Sequence, residues 1–290
     1  MLSQTAPFTL ILSFFLSAEA SPAEQALPDP TLRPTLENTY HAWHNAMVSK
    51  DFARWEEVTA LSRQMEIRNI IVSQKLPFPE TFFADPLKAP TLAGLIGLGV
   101  LSTGRTATST YFGKANFGGT PKDGPVDNLI VLHFLREDGI WKFDRLRVVK
   151  TGDDSELLLQ IRNSDFSFLF GDEFQPAPQL PAVPQPVRTP DLIAEAWVDA
   201  SGCKVNIVVN GHETGTFSNV KTAQLVIGGV RHGNNQITIT TESMGGVNNE
   251  LPKVEVAIYA ADTPKNEAAR VFHYKPAVPD AQITESFVAE

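Results

Sequence analysis

The chain has 290 residues, 42% of them hydrophobic and 20% charged, with a formal net charge of -9. That length can supply two modest cores, and the acidic balance excludes a nucleic-acid partner, because phosphates select basic faces. Cys203 is the sole cysteine, which rules out an intramolecular disulfide and a thiolate-rich metal site.

Residues 1–20 read as an export signal. The apolar run "PFTLILSFFLSA" is too short to span a bilayer as a helix, and Ala18 and Ala20 stand at the small-residue positions a signal peptidase reads. Its beginning lacks Lys and Arg, a departure from the usual pattern. The mature chain is expected to be periplasmic or extracellular, with no integral membrane segment. Residues 21–34, "SPAEQALPDPTLRP", read as a flexible lead-in.

Thr35 is placed to cap a helix in which Leu36, Tyr40, Trp43 and Met47 form one apolar stripe. The same helix carries two histidines. Measured from Leu36, His44 borders the stripe at about 80° and His41 points to solvent at about 140°. They therefore do not read as a metal pair. Asp51 looks like the N-cap of a second helix running to Gln74, with Phe52, Trp55, Val58 or Thr59, Met65 and Ile70 available for burial. "PFPETFFADP" suggests a short third helix ended by Pro86. "LAGLIGLGVL" (92–101) is apolar all round and hence internal.

From residue 102 the period becomes that of strands. "RTATSTYFGKANF" alternates, with Tyr111 and Phe112 on opposite faces. Two β-rich runs over 128–149 flank Asp138-Gly139, a pair that favours a type I′ hairpin turn. "DSELLLQIRNSDFSFLF" (154–170) adds a closing helix, with Asp153, Asp154 and Glu156 as its charged first turn. Helices followed by an antiparallel sheet make the class α+β.

"QPAPQLPAVPQPVRTP" (175–190) holds six prolines and reads as an extended spacer between a first domain at 35–174 and a second at 191–276. The second domain has short alternating segments and another turn pair at Asn210-Gly211, the pattern of an all-β sandwich. Cys203 sits at a strand start, where it reads as a small buried hydrophobe rather than a nucleophile. Residues 277–290 show no periodicity and read as a tail.

Three stretches of the first domain carry a family likeness. They are the opening helix with Trp43 and Ala46 followed by "SKDFARW", the strand "TATSTYFG", and the hairpin "EDGIWKFDRLRVV". In this order they resemble the NTF2-like superfamily, the cone fold of ketosteroid isomerases and polyketide cyclases. The resemblance implies a curved sheet wrapping the N-terminal helices around a blind pocket, and a possible homodimer through the sheet's outer face. Tyr40, Trp43, His44, Met47, Tyr111, Trp141 and Phe143 would line that pocket. In the second domain, "IVVNGHETGTFSNVKTAQLVIGGVRHGNNQITI" resembles the jelly-roll modules beside glycoside hydrolases, which implies a sugar-binding relative. Neither likeness by itself implies an activity.

Acid–base chemistry in such a pocket needs a desolvated carboxylate or histidine. If Asp138-Gly139 forms a two-residue loop, Glu137 faces Ile140 and His133 lies opposite Asp144. A longer loop would set His133 against Phe143. The His133–Asp144 pair would sit with Val131, Leu135, Leu146 and Val148. The other face would carry Ile130, Leu132, Phe134, Trp141 and Phe143, with Arg136, Arg145 and Arg147. The sequence leaves open which face looks inward, and an ordinary cross-strand polar pair on an outer surface is the plainer reading. No phosphate loop, dinucleotide fingerprint or metal-ligand spacing is present, so neither cofactor nor metal is expected.

The expectation is an exported, non-catalytic two-domain protein that binds a small molecule, a glycan or an envelope protein. One alternative is an isomerase or dehydratase, with His133 and Asp144 as base and orienter and Tyr40 or Tyr111 polarising a carbonyl. Another is a structural dimerisation module without a ligand.

Overall fold

The computed structural model describes residues 26–84, 89–115, 127–151, 154–244, 253–263 and 265–290. The export signal, Pro86 and Asp153 lie outside them. The described part of the lead-in is structured, contrary to its flexible reading: β1 (Leu27–Pro28) pairs with Ser102 and Leu101, and Asp29 N–H donates to the Val100 carbonyl at 2.9 Å. A 3-10 turn at Pro30–Leu32 runs into α1 (Arg33–Ser49). Thr35 is therefore inside the first turn and does not cap it. Pro34 can start the helix earlier because its fixed φ suits the first turn, where no N–H is needed.

α1 buries Leu36, Tyr40, Trp43 and Met47, the expected stripe, together with Ala46. Lys50 ends it in the left-handed region, and Asp51 accepts the Arg54 N–H at 3.0 Å as the cap of α2 (Phe52–Val58). The second helix does not run on to Gln74. Thr59 turns extended and bridges Phe143, and the Ala60 N–H donates to the Phe143 carbonyl at 2.8 Å. Pairing with a distant strand overrides local helix propensity here. The chain restarts as α3 (Leu61–Ser73), whose first N–H donates to the Glu137 carboxylate at 2.9 Å.

α3 also buries a different face from the one expected. Ser62, Gln64, Asn69, Ile71 and Ser73 are buried, whereas Ile70 is exposed and Met65 only half-buried. The short third helix is α4 (Glu80–Ala84).

β1 joins β2 (Ile96–Ser102), β3 (Thr106–Lys114), β4 (Asp127–Glu137) and β5 (Ile140–Lys150) in a five-stranded antiparallel sheet, in that order. Asp138 and Gly139 take φ of +49° and +81° in a two-residue turn, the geometry their sequence favours. One face of the sheet packs on the helices through Val100, Tyr111, Ile130, Leu132, Phe134, Trp141 and Phe143. The other carries Leu98, Leu129 and Val131 and is covered by α5 (Ser155–Arg162), the 3-10 turn Ser167–Phe170 and Phe174. Thr108 Oγ1 donates to the Phe174 carbonyl at 2.7 Å and fixes this cover. The expected closing helix is thus two pieces, with Asp154 capping α5.

Beyond residue 190 come β6 (Ile193–Asp199), β7 (Cys203–Val209), β8 (His212–Ser218), β9 (Lys221–Leu225), β10 (Gly233–Ser243), β11 (Glu255–Ala261), β12 (Ala269–Tyr274) and β13 (Gln282–Ala289). They form two four-stranded antiparallel sheets, ordered β13-β10-β7-β8 and β12-β11-β6-β9. Alternate residues of both, among them Val205, Ile207, Ile239, Val256 and Ile258, make one core separate from those of residues 36–174. Residues 282–289 are not a tail. β13 pairs with β10 from Gln282↔Thr240 to Ala289↔Gly233 and buries Phe287 and Ala289. An edge strand with so few buried positions gives little periodic signal.

The proline-rich connection forms neither helix nor strand, but it is not a free spacer. Asn69 donates to the Gln185 carbonyl at 2.8 Å and accepts the Val187 N–H at 3.0 Å, while Arg68 donates to the Val187 carbonyl at 3.0 Å. Ser73 Oγ accepts the Gly228 N–H at 2.8 Å, and Lys75 pairs with Asp262 at 2.7 Å. These partners account for part of the buried polar face of α3: Asn69 satisfies backbone of the connection that prolines cannot pair into a sheet, Ser73 satisfies the Gly228 N–H, and Gln64 donates to the Glu56 and Thr59 carbonyls. Among the described residues, no helix is long and apolar enough to cross a membrane.

Candidate functional site

The hairpin starts in the expected register, with Glu137 opposite Ile140, but slips by one residue between Phe134 and His133. Phe134 faces Phe143, and His133 faces Arg145 rather than Asp144 or Phe143. Asp144 is the extra residue of a β-bulge. Beyond the bulge, Leu146 turns to the helix side, and Arg145 and Arg147 move to the His133 face instead of the tryptophan face. Burial lowers the His133 pKa to about 4, a fall that the nearby Asp144 carboxylate opposes and Arg145 and Arg147 reinforce. The imidazole is neutral at physiological pH. Asp144 Oδ2 accepts from Arg145 Nε at 2.8 Å, while its buried Oδ1 has no partner among the described residues.

The two tyrosines offered as carbonyl polarisers lie on the opposite, helix side of the sheet. Tyr40 donates to the Pro90 carbonyl at 2.7 Å. Tyr111 donates to Glu37 at 3.0 Å and accepts from Ser109 at 3.0 Å. Burial raises both phenols well above their usual range, so both remain protonated and already engaged. His133, Asp144, Tyr40 and Tyr111 do not converge on one space.

Six of the seven expected pocket-lining residues gather in the helix-side core: Tyr40, Trp43, Met47, Tyr111, Trp141 and Phe143 are all buried. The rings of Tyr40, Trp43 and Phe143 pack on one another, with centroids at 4.3 Å for Trp43–Phe143, 5.4 Å for Tyr40–Phe143 and 5.7 Å for Tyr40–Trp43. His44 sits at the edge of this core, its Nε2 3.2 Å from the Ala89 carbonyl, and His41 is exposed. Cys203 is fully buried, and burial raises its thiol pKa. Among the described residues, no three His, Cys, Asp or Glu side chains assemble as metal ligands.

A different place has the make-up of a binding site. The outward positions of β6 are Glu195, Trp197 and Asp199, while Ala194, Ala196 and Val198 face the core. Trp197 is 55% exposed, an unusual state for a tryptophan in the middle of a strand inside a sheet. The register explains it. Trp197 faces Ala223 on β9 and Ala257 on β11, so neither cross-strand neighbour has enough side chain to cover the indole. Tyr259, one outward position along β11, meets Trp197 edge-on with centroids 6.0 Å apart. Together they wall an open groove of about 550 Å³, a volume suited to a small ligand or part of a larger one.

The polar rim of this groove is electrically matched. Lys221 pairs with Asp199 at 2.7 Å, and Glu255 takes both Lys275 at 2.7 Å and His273 at 3.0 Å. Burial acts to raise the Asp199 pKa, but hydrogen bonds from Lys221 and Ser201 outweigh it and hold the carboxyl low. Hydrogen bonds from Lys275 and His273 likewise lower Glu255. Both carboxylates are therefore ionised acceptors at neutral pH, next to ammonium donors. An aromatic wall, an alanine floor and alternating donors and acceptors can hold a neutral ligand that has an apolar face and a hydroxylated edge.

Sequence reasoning did not single out Trp197. The signal was present: within "LIAEAWVDA", Trp197 falls in phase with Glu195 and Asp199, on the polar side of the alternation. Comparison of the chain with protein-family models, with curated proteins and with solved structures returns no match.

Proposed function

We propose that this is an exported, non-catalytic protein that binds glycan through the outer face of β12-β11-β6-β9. The observation that carries this reading is the indole of Trp197, exposed between two alanines and rimmed by paired charges. A pyranose ring has an apolar C–H face that packs on an aromatic plane, and equatorial hydroxyls that need both donors and acceptors at its edge. Paired charges on the rim disfavour a strongly charged ligand, which would have to break Lys221–Asp199 or Glu255–Lys275. The likeness of residues 207–239 to sugar-binding jelly rolls points the same way, with the second domain as a β-sandwich module.

In this reading residues 35–174 form an NTF2-like domain that serves as a scaffold. Helices α1–α4 on one face of the antiparallel sheet that follows them support that family likeness. The acid–base alternative lacks its geometry, because His133 faces Arg145 and lies across the sheet from Tyr40 and Tyr111. The homodimer through the outer sheet face is not part of the reading either, since α5 and Phe174 already cover much of that face.

The test is acrylamide quenching of tryptophan fluorescence during titration with neutral oligosaccharides. Trp43, Trp55 and Trp141 are buried, so quenching reports mainly on Trp197. Saturable protection that disappears in Trp197→Ala is expected. Unchanged quenching across a panel of neutral glucans, mannans, galactans and chitin fragments would sink the glycan reading.

A further inference from the structure

We infer that the cleft where the proline-rich connection meets the second core is a binding site for a small oxyanion or carboxylate ligand. This site is separate from the Trp197 groove and does not depend on the glycan reading. Arg188 comes from the connection, His212 from the start of β8, and Arg231 from the loop before β10, and all three line a cleft of about 360 Å³. Among the described residues, neither guanidinium has an ion pair or a side-chain hydrogen bond. The carboxylate lining the cleft, Asp191, already accepts the His232 N–H at 3.0 Å. Two guanidinium charges against one carboxylate leave the cleft positive in a chain of net charge -9. Guanidinium forks match the paired oxygens of phosphate, sulfate and carboxylate.

The walls are set without a ligand. Val187, beside Arg188, is tied to Asn69 at 3.0 Å and to Arg68 at 3.0 Å. Gly228 is tied to Ser73 at 2.8 Å. Gly228 takes φ +80°, and a Cβ there would lie 3.1 Å from His212 Cδ2, so glycine allows the imidazole its place against this loop. Because Arg188 belongs to the connection and Arg231 to the second core, one anion held between them bridges the two. Binding therefore also stiffens the docking of the connection.

The experiment is isothermal titration of the full chain with inorganic phosphate, sulfate and citrate, against a chloride control of equal ionic strength. Saturable one-to-one binding of at least one of them is expected, accompanied by a rise in Tm. Preference for phosphate or sulfate assigns a tetrahedral oxyanion, and preference for citrate assigns a carboxylate. Arg188→Gln and Arg231→Gln should each weaken binding about tenfold or more, the cost of one lost charge-assisted contact. Both side chains are exposed, so the Tm without anion should not move. On the unaltered chain, whichever of phosphate, sulfate and citrate binds most tightly should also protect Arg188 and Arg231 from phenylglyoxal, read by mass spectrometry. No saturable binding beyond the chloride control, equal binding by the double variant, or arginines left unprotected by the anion that binds most tightly would overturn the assignment.

Discussion

The five-stranded sheet and the β12-β11-β6-β9 sheet use their aromatic residues in opposite ways. The first is covered on both faces by its own chain, and its Phe143 ring packs on Phe134 of the sheet and on Trp43 of α1. The second buries one face and leaves Trp197 bare on the other. An aromatic-rich segment is therefore a poor guide to a binding site, because most large rings serve a core. The informative ring is the one whose neighbours are too small to cover it.

Several changes would break or sharpen that contrast. The largest effect is expected at Trp43, where Trp43→Ala should cost about 3–5 kcal/mol of stability, read by urea unfolding. It should leave oligosaccharide affinity intact under conditions where the protein remains folded. A loss below about 1 kcal/mol would mean that the helix-side core is loose enough to admit a ligand after all.

A comparable effect is expected from pH. Folding lowers the His133 pKa to about 4 from 6.5 in the unfolded chain, so the unfolded chain takes up the proton first as the pH falls. This contribution is fully present above pH 6.5, declines as the pH drops towards 4, and is flat below that. The loss across the window is about 3 kcal/mol. Unfolding curves of the unaltered chain minus those of His133→Gln should isolate this slope. Parallel curves would place His133 in contact with water.

Next comes the junction. Asn69→Ala removes both side-chain hydrogen bonds to the proline-rich connection and leaves the Val187 N–H without its acceptor. The expected cost is about 1–3 kcal/mol, with faster proteolysis within residues 175–190. Unchanged proteolysis would show that prolines alone hold the connection in place. The smallest effects on stability are expected on the binding face itself. Trp197→Ala should change stability by less than about 0.5 kcal/mol, as exposed positions usually do, yet reduce glycan affinity about tenfold or more. Ala223→Leu should shade the indole and weaken binding several-fold with stability equally unmoved, measured by titration and thermal unfolding together.

The course of the chain was well marked wherever a local rule sufficed. The stripe Leu36, Tyr40, Trp43 and Met47 is buried as its helical spacing requires, and Asp51 caps α2. Asp138-Gly139 and Asn210-Gly211 both turn hairpins with positive φ. Each miss has a non-local cause. The helix expected to reach Gln74 breaks at Thr59 because Phe143, far along the chain, offers its backbone. Residues 282–289 became a strand because β10 had a free edge to pair with. The bulge at Asp144 reversed which face of the hairpin holds Arg145 and Arg147, since a slip of one residue exchanges the two faces.

Taken alone, the sequence determined the α+β class, the helix-then-sheet order, the hairpins and most of the buried stripes, since these depend on periodicity and turn chemistry within a few residues. Only the tertiary structure decided that the suspected acid–base pair is out of register and that the proline-rich connection is held along α3. It also decided that Trp197 lies between two alanines. The physical reason is the same in each case: cross-strand register and side-chain cover are set by residues far apart in the chain, and no local pattern encodes which of them meet.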